Sequence, residues 1–307
     1  MSNIRAGIAK ELHKQSRKIF PTRYVELKGI NDLYQADLVE MIPFARVNEG
    51  YKYILTMINC FTKYALAVPL KTKKADDIVE ALKPILKKHK MKHLQTDQGT
   101  EWFNSKVKSL MQINKINHYY THTDKKASIV ERFNRTLKGE MWRLFTELGN
   151  FKWLKILPEL ITKYNQKKHR TIGVRPVDVT KKNEKNILKK IVSSRKKHFH
   201  KNKFNAGDKV RISLRFKEMT KGYWPRWSNE IYTVWKIQPT NPVTYILKDY
   251  KGEVLKGGFY QEELSKTKFN NIYLVERVLQ RKGTKLLVRW LGFDKTHDSW
   301  INENELV

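Results

Sequence analysis

The chain has 307 residues with 62 Lys+Arg against 30 Asp+Glu, a formal net charge of +32, and 40% apolar residues with ample aromatics. That balance belongs to a folded binder of polyanions and excludes a wholly disordered basic chain. A single cysteine, Cys60, excludes an internal disulfide framework and any cysteine-based zinc site within one chain.

Residues 1–27 form a basic N-terminal segment, expected as a short helix followed by a linker through Pro21. It has no apolar signal core, no segment of the chain reaches the length of a membrane span, and the basic residues are spread along the whole sequence. The expectation is a soluble intracellular protein that meets nucleic acid and no membrane.

From Leu33 the pattern turns to strands: Leu33–Glu40, Lys52–Asn59 and Tyr64–Leu70, the last two joined as a hairpin. Lys74–Lys88 has helical spacing in Ile78, Leu82, Ile85 and Leu86, with Asp76 and Asp77 suited to the first turn. His93–Thr96 is a short strand ending at the turn signal Asp97-Gln98-Gly99. Trp102–Ile113 (helix), Asn117–Thr121 (strand), Ser128–Leu148 and Trp153–Lys168 (helices) follow. Strands first and alternating elements after them predict a mixed α/β layer fold. Residues 181–203 are so rich in Lys and Arg that they read as a linker. Residues 204–268 hold short strands at Val210–Leu214, Ile231–Ile237, Thr244–Lys248 and Glu253–Leu255, as in a small all-β barrel. Residues 270–307 carry two more strand runs, Tyr273–Gln280 and Lys285–Trp290, with Trp300 expected in the core of this last unit.

Three carboxylates stand where this order of elements converges: Asp37 inside the first strand, Asp97 after the fourth, and Glu131 early in the long helix. An aspartate among apolar neighbours in a strand is costly unless it is paired or binds metal. On the long helix, Val130, Phe133, Leu137, Met141 and Leu144 form one stripe, while Glu131, Asn134, Arg135 and Lys138 form another. An all-oxygen donor set suits Mg²⁺ or Mn²⁺, and three carboxylates can hold two ions roughly 3.5–4 Å apart for displacement at phosphorus.

These residues match a family. Gln35-Ala36-Asp37-Leu38, Gln95-Thr96-Asp97-Gln98-Gly99 and Val130-Glu131-Arg132-Phe133-Asn134 resemble the D,D-35-E core of retrovirus-type integrases, with 59 residues between the aspartates and 33 between Asp97 and Glu131. Tyr164-Asn165, His169-Arg170, Thr171, Gly173 and Pro176 resemble the closing segment of that core. Within the superfamily the chain looks most like the chromodomain-bearing integrases of Maverick/Polinton DNA transposons.

The resemblance implies an RNase H-like core at residues 28–180 that uses two divalent ions to process element ends and join them to target DNA. Asp37, Asp97 and Glu131 would be catalytic and metal-binding. Asn134, Arg135 and Lys138 match the family's DNA-contacting helix residues. Phe204 to Val210 resembles the opening of an SH3-like barrel, where Lys209, Arg211, Arg215, Lys217, Lys221 and Arg226 could contact phosphates. Trp224, Trp227 and Trp235 are expected chiefly as packing or protein-contact residues. Residues 270–307 resemble a chromodomain, with Tyr273, Trp290 and Phe293 at the positions of a methyl-lysine cage; a methylated histone tail is then the expected partner. A homo-oligomer in the nucleus is implied. The zinc module found at the N-terminus of many integrases is not expected, since His13 is the only histidine there. The basic run Arg195-Lys196-Lys197 reads as phosphate contacts more than as a nuclear signal. Two other functions remain open: a catalytically silent chromatin-binding protein, and an RNase H-like nuclease that cuts without joining.

Overall fold

A computed structural model of the chain describes residues 2–17, 19–120, 127–195, 202–214, 224–270 and 272–306. The chain divides into two units: Val25–Lys196, and Met1–Tyr24 together with Lys197–Val307.

The first unit is built on a five-stranded mixed sheet. Strands β1 (Leu33–Glu40), β2 (Tyr53–Asn59) and β3 (Ala65–Leu70) run antiparallel, whereas β4 (His93–Thr96) and β5 (Asn117–Tyr120) join parallel to β1, giving the order β3-β2-β1-β4-β5. Helices cover both faces, as the α/β reading expects. The long side chains of α2 (Ala75–Lys88) and α3 (Ser105–Ile113) meet Leu55, Met57 and Leu94 on one face. On the other, α4 (Ser128–Leu148) and α5 (Trp153–Gln166) bury Val130, Phe133, Leu137, Met141, Trp153 and Leu157 against Val39, Ile54 and Ile58. The α4 stripe ends on Phe145 instead of Leu144, which is only partly covered. Helix α3 starts at Ser105 and not at Trp102, because Asn104 caps it by accepting a hydrogen bond from the Val107 N–H at 3.0 Å.

Residues 181–203 contain more than linker. Glu184–Ser193 is helix α6, and its Ile187 and Ile191 enter a cluster with Leu27, Leu33, Cys60, Phe61 and Ile172. Two isoleucines four apart suffice for an apolar helix face, which the surrounding lysines conceal in a count of composition.

The second unit holds two sheets. Strands β6 (Lys209–Ile212), β7 (Tyr232–Gln238), β8 (Thr244–Lys248), β9 (Phe259–Tyr260) and β10 (Leu264–Lys266) form an antiparallel sheet in the order β10-β6-β7-β8-β9 around Phe204, Val210, Val234, Tyr245, Leu247 and Leu264. The expected strand at Glu253–Leu255 is reduced to a single bridge between Val254 and Lys248. Strands β11 (Val275–Lys282), β12 (Lys285–Trp290) and β13 (Ser299–Asn302) form the other sheet over a core of Val275, Leu286 and Val288. Trp300 is 44% exposed and not a core residue, because it alternates outward on β13 while Ile301 packs in.

The N-terminal segment belongs to this unit. Helix α1 (Ser2–Leu12) ends where the Leu12 carbonyl accepts the Arg226 and Trp227 N–H groups, and the Lys14 carbonyl accepts the Trp227 indole N–H at 2.9 Å. Glu11 receives the Thr267 hydroxyl at 2.7 Å and the Lys268 N–H at 2.9 Å, and faces the Arg211 guanidinium.

Candidate active site

Strand pairing brings the two aspartates to neighbouring strand positions. In the parallel β1–β4 pair Gln35 lies opposite Gln95, and Asp37 and Asp97 each follow two residues on, Asp37 within β1 and Asp97 just after β4 ends at Thr96. The two glutamines are fully or nearly buried and bonded to each other at 2.9 Å, from Gln35 Nε2 to Gln95 Oε1. Gln35 Oε1 then accepts the Ile129 and Val130 N–H groups at 2.9 and 3.0 Å. One side chain thereby satisfies two of the orphan donors at the start of α4 and fixes that helix over the strand ends. Gln35 and Gln95 are positioning residues that the motif reading passed over, although each stands two residues before an aspartate.

With α4 held there, Glu131 occupies its first turn, where the helix dipole favours a carboxylate, and remains exposed. Asn134, one turn on, donates from Nδ2 to Asp37 Oδ2 at 2.8 Å, and the Leu38 N–H donates to Asp37 Oδ1, also at 2.8 Å. Asn134 is only 6% exposed, and its Nδ2 orients Asp37. Arg135 and Lys138 stay exposed on the outer face of α4. Asp97 receives the Gly99 N–H at 3.3 Å, which shapes the turn predicted at Asp97-Gln98-Gly99.

Burial pushes the Asp37 carboxyl above its usual range, and the Asp97 and Glu131 carboxylates add to the rise against the two hydrogen bonds that oppose it. Asp37 therefore senses both of the other acids. Among the described residues no group of three His, Cys, Asp or Glu side chains is drawn into a ready metal-ligating cluster. The donor chemistry nevertheless fits a hard divalent cation: oxygen ligands only, with mutual repulsion that such an ion would relieve.

Of the barrel residues, Lys209 donates to Thr233 Oγ1 at 2.8 Å and is partly exposed. Arg211 is 2% exposed and donates to the carbonyls of Ser228 and Asn229 at 2.9 and 2.8 Å, with Glu11 beside it. It braces the β6 end of the sheet against the Ser228–Asn229 backbone. Arg215, Lys217 and Lys221 lie outside the described residues, as do Lys196 and Lys197 of the basic run. Trp227 is buried, while Trp224 and Trp235 are about half exposed, the latter under the Lys248 ammonium at 4.9 Å. In the last unit Tyr273 meets Trp290 and Phe293 with ring centroids 6.3 and 5.6 Å apart, and Phe293 also meets Tyr250 and His297 at 6.4 and 5.2 Å.

Residues 29–126 match the integrase core domain family. A transposon-derived protein of Caenorhabditis elegans is 31% identical over 194 residues, which is 62% of this chain and 65% of that protein. The retrovirus-related Pol polyprotein from transposon 412 of Drosophila melanogaster is 33% identical over 115 residues, 36% of this chain and 9% of the polyprotein. The chain thus spans less than two thirds of either relative. Among solved structures, a chain of the simian T-cell lymphotropic virus intasome, determined in complex with a PP2A regulatory subunit, superposes with a TM-score of 0.60 at 11% identity, over 85% of this chain and 87% of that one. That likeness is one of fold. Residues 29–126 are thus the segment with the integrase core domain match; it contains Asp37 and Asp97 and ends just short of Glu131.

Proposed function

We propose that the chain is a metal-dependent DNA strand transferase of a transposable element or virus, an integrase of the D,D-35-E type. The observation that carries this reading is Asp37, raised by burial and by the Asp97 and Glu131 carboxylates that act on it, and held by Asn134. Asp37, Asp97 and Glu131 would hold two Mg²⁺ or Mn²⁺ ions, which when bound lower the pKa of an attacking hydroxyl and stabilise the leaving oxygen. The chain's own residues set the geometry for that step. Gln35 keeps the α4 carboxylate over the strands, Asn134 fixes the Asp37 rotamer, and Arg135 and Lys138 offer cations to the phosphate backbone on the exposed side of the same helix. The second unit supports this by adding a basic antiparallel sheet suited to non-specific phosphate contacts, as in an SH3-like barrel. Its three-stranded end unit, with Tyr273, Trp290 and Phe293 adjoining, is the proposed chromodomain for a methylated histone tail. Nuclear location, assembly as a homo-oligomer and kinship with Maverick/Polinton integrases belong to the same proposal.

The test is a joining reaction with Mg²⁺, labelled duplex carrying the ends of the element that encodes the chain, and a target plasmid. Joined product is expected from the wild type, and Asp97→Asn should abolish it while duplex affinity stays within about twofold, since phosphate neutralisation supplies that affinity. Joining by Asp97→Asn at the wild-type rate refutes the assignment. Cutting without joining would establish the nuclease reading in its place, and neither activity the silent chromatin binder.

A further inference from the structure

Lys63 closes the turn between β2 and β3 in the left-handed backbone region, at φ 61°, with 7% of its surface exposed. Both conditions are unfavourable for a lysine: its Cβ crowds the backbone there, and its ammonium loses water. The ammonium donates to the Cys60 carbonyl at 2.6 Å, and among the described residues this is its one side-chain hydrogen bond and no carboxylate stands within ion-pair distance. Two of its three N–H donors therefore find no acceptor among the described residues.

The neighbours are cations as well. Asn165 at the end of α5 exchanges two hydrogen bonds of 2.8 Å with the Ala65 backbone, which ties the His169–Arg170 loop to this turn. Cys60 and Phe61 pack with Ile172 from that loop and with Ile129 from the first turn of α4, so Arg132 joins the group. A Cβ at Gly173 (φ 77°) would lie 1.8 Å from the Lys190 ammonium, which places one more cation over the loop. Burial pushes Lys63 down to about 8, with Arg132 and Arg195 acting in the same direction and Cys60 against it; burial likewise pushes His169 down to about 4, reinforced by Lys63, Arg132 and Arg170. The Thr171 N–H donates to His169 Nδ1 at 3.2 Å, leaving the proton of the neutral imidazole on Nε2 as another donor.

A nearly buried ammonium with Arg132 and Arg195 acting on it has no counter-charge among the described residues. We propose that Lys63, Arg132, His169 and Arg170 form a seat for one backbone phosphate of duplex DNA, next to the catalytic carboxylates because Arg132 directly follows Glu131. The inference rests on the reading of DNA as substrate and names a contact outside the motifs that suggested it. A phosphodiester accepts several hydrogen bonds at once, which would use the idle donors of Lys63 and the Nε2 proton of His169.

The test is Lys63→Gly in the full chain, with binding to a 20-base-pair duplex of arbitrary sequence followed by anisotropy in EDTA over a range of salt. Glycine suits the left-handed backbone, so the thermal midpoint should be unchanged or higher. The slope of log K against log salt should become shallower by about one, the contribution of one neutralised phosphate, with affinity at 0.15 M salt lower by roughly five- to tenfold. Lys63→Asn, which also tolerates this backbone region, should behave alike if the glycine variant folds poorly. An unchanged slope in a folded variant overturns the seat and leaves Lys63 as a cap of its turn, whatever the wild type's joining activity. A wild type that binds duplex but joins nothing refutes the strand-transferase reading while the slope difference still decides the seat.

Discussion

Replacing Glu11 by alanine removes the carboxylate that, among the described residues, stands against Arg211, whose side chain is 2% exposed while that of Glu11 is 17% exposed. The change also leaves the Thr267 hydroxyl and the Lys268 N–H without their acceptor. Breaking a buried ion pair from one side costs about 3–5 kcal/mol. Two features reduce that figure: the Nε to Oε2 separation is a long 3.4 Å, and Arg211 keeps its bonds to the Ser228 and Asn229 carbonyls. About 2–4 kcal/mol of stability in the second unit is expected to be lost. Urea unfolding followed by tryptophan fluorescence and by calorimetry should show one transition moving and that of the Val25–Lys196 unit staying in place. The double variant Glu11→Leu/Arg211→Met should recover most of the loss, since an apolar pair of similar volume avoids the desolvation of both charges. A loss under about 1 kcal/mol, or a shift confined to the first unit, would refute the reasoning and return Arg211 to the candidates for phosphate contact.

Replacing both Arg135 and Lys138 by alanine should lower the salt slope of duplex binding by roughly one to two; an unchanged slope would move the DNA path off the outer face of α4. Asn134→Ala should slow joining by roughly 10–100-fold and raise the Mg²⁺ concentration needed for half-maximal rate while leaving duplex affinity alone, and a rate loss without the Mg²⁺ shift would make Asn134 merely structural. Burial holds His118, stacked on Phe103 at 4.5 Å, down at about 4. Its folded form resists a proton that the unfolded chain accepts below about pH 6.5, so the stability it contributes is complete above that pH and lost as pH falls towards 4. Melting curves at pH 7 and 4.5 should therefore converge in His118→Gln relative to the wild type, and an identical pH dependence in both would refute the assignment.

The elements of the first unit were legible because period and length were unambiguous there: α4 runs from Ser128 to Leu148 as the spacing predicts. Asp37 was legible as an oddity too, since a polar residue inside an apolar strand stands out. What escaped were properties that exist only across the chain. Nothing local to Arg211 distinguishes a brace from a phosphate contact; its partner Glu11 lies 200 residues away. Asn134 follows the helix face of Arg135 and Lys138 by number, yet its short side chain reaches inward where theirs extend out. Gln35 and Gln95 were visible as a repeated Gln-x-Asp, but their meaning depends on the register that brings them opposite each other.

The docking of α1 onto the β6–β10 sheet gives the polypeptide a topological property. The chain leaves one unit after its first helix, builds the whole mixed sheet, and returns to complete the unit it left. The sheet-bearing segment is thus an insertion with two covalent tethers, and a single nick in one of them severs no association, because Leu12, Lys14 and Glu11 remain held by Trp227, Arg226 and Arg211. Fragments divided between α1 and β1 should reassemble from separate pieces, whereas a β6–β10 sheet lacking α1 would expose the Arg211 guanidinium and the surface around Trp227 to water.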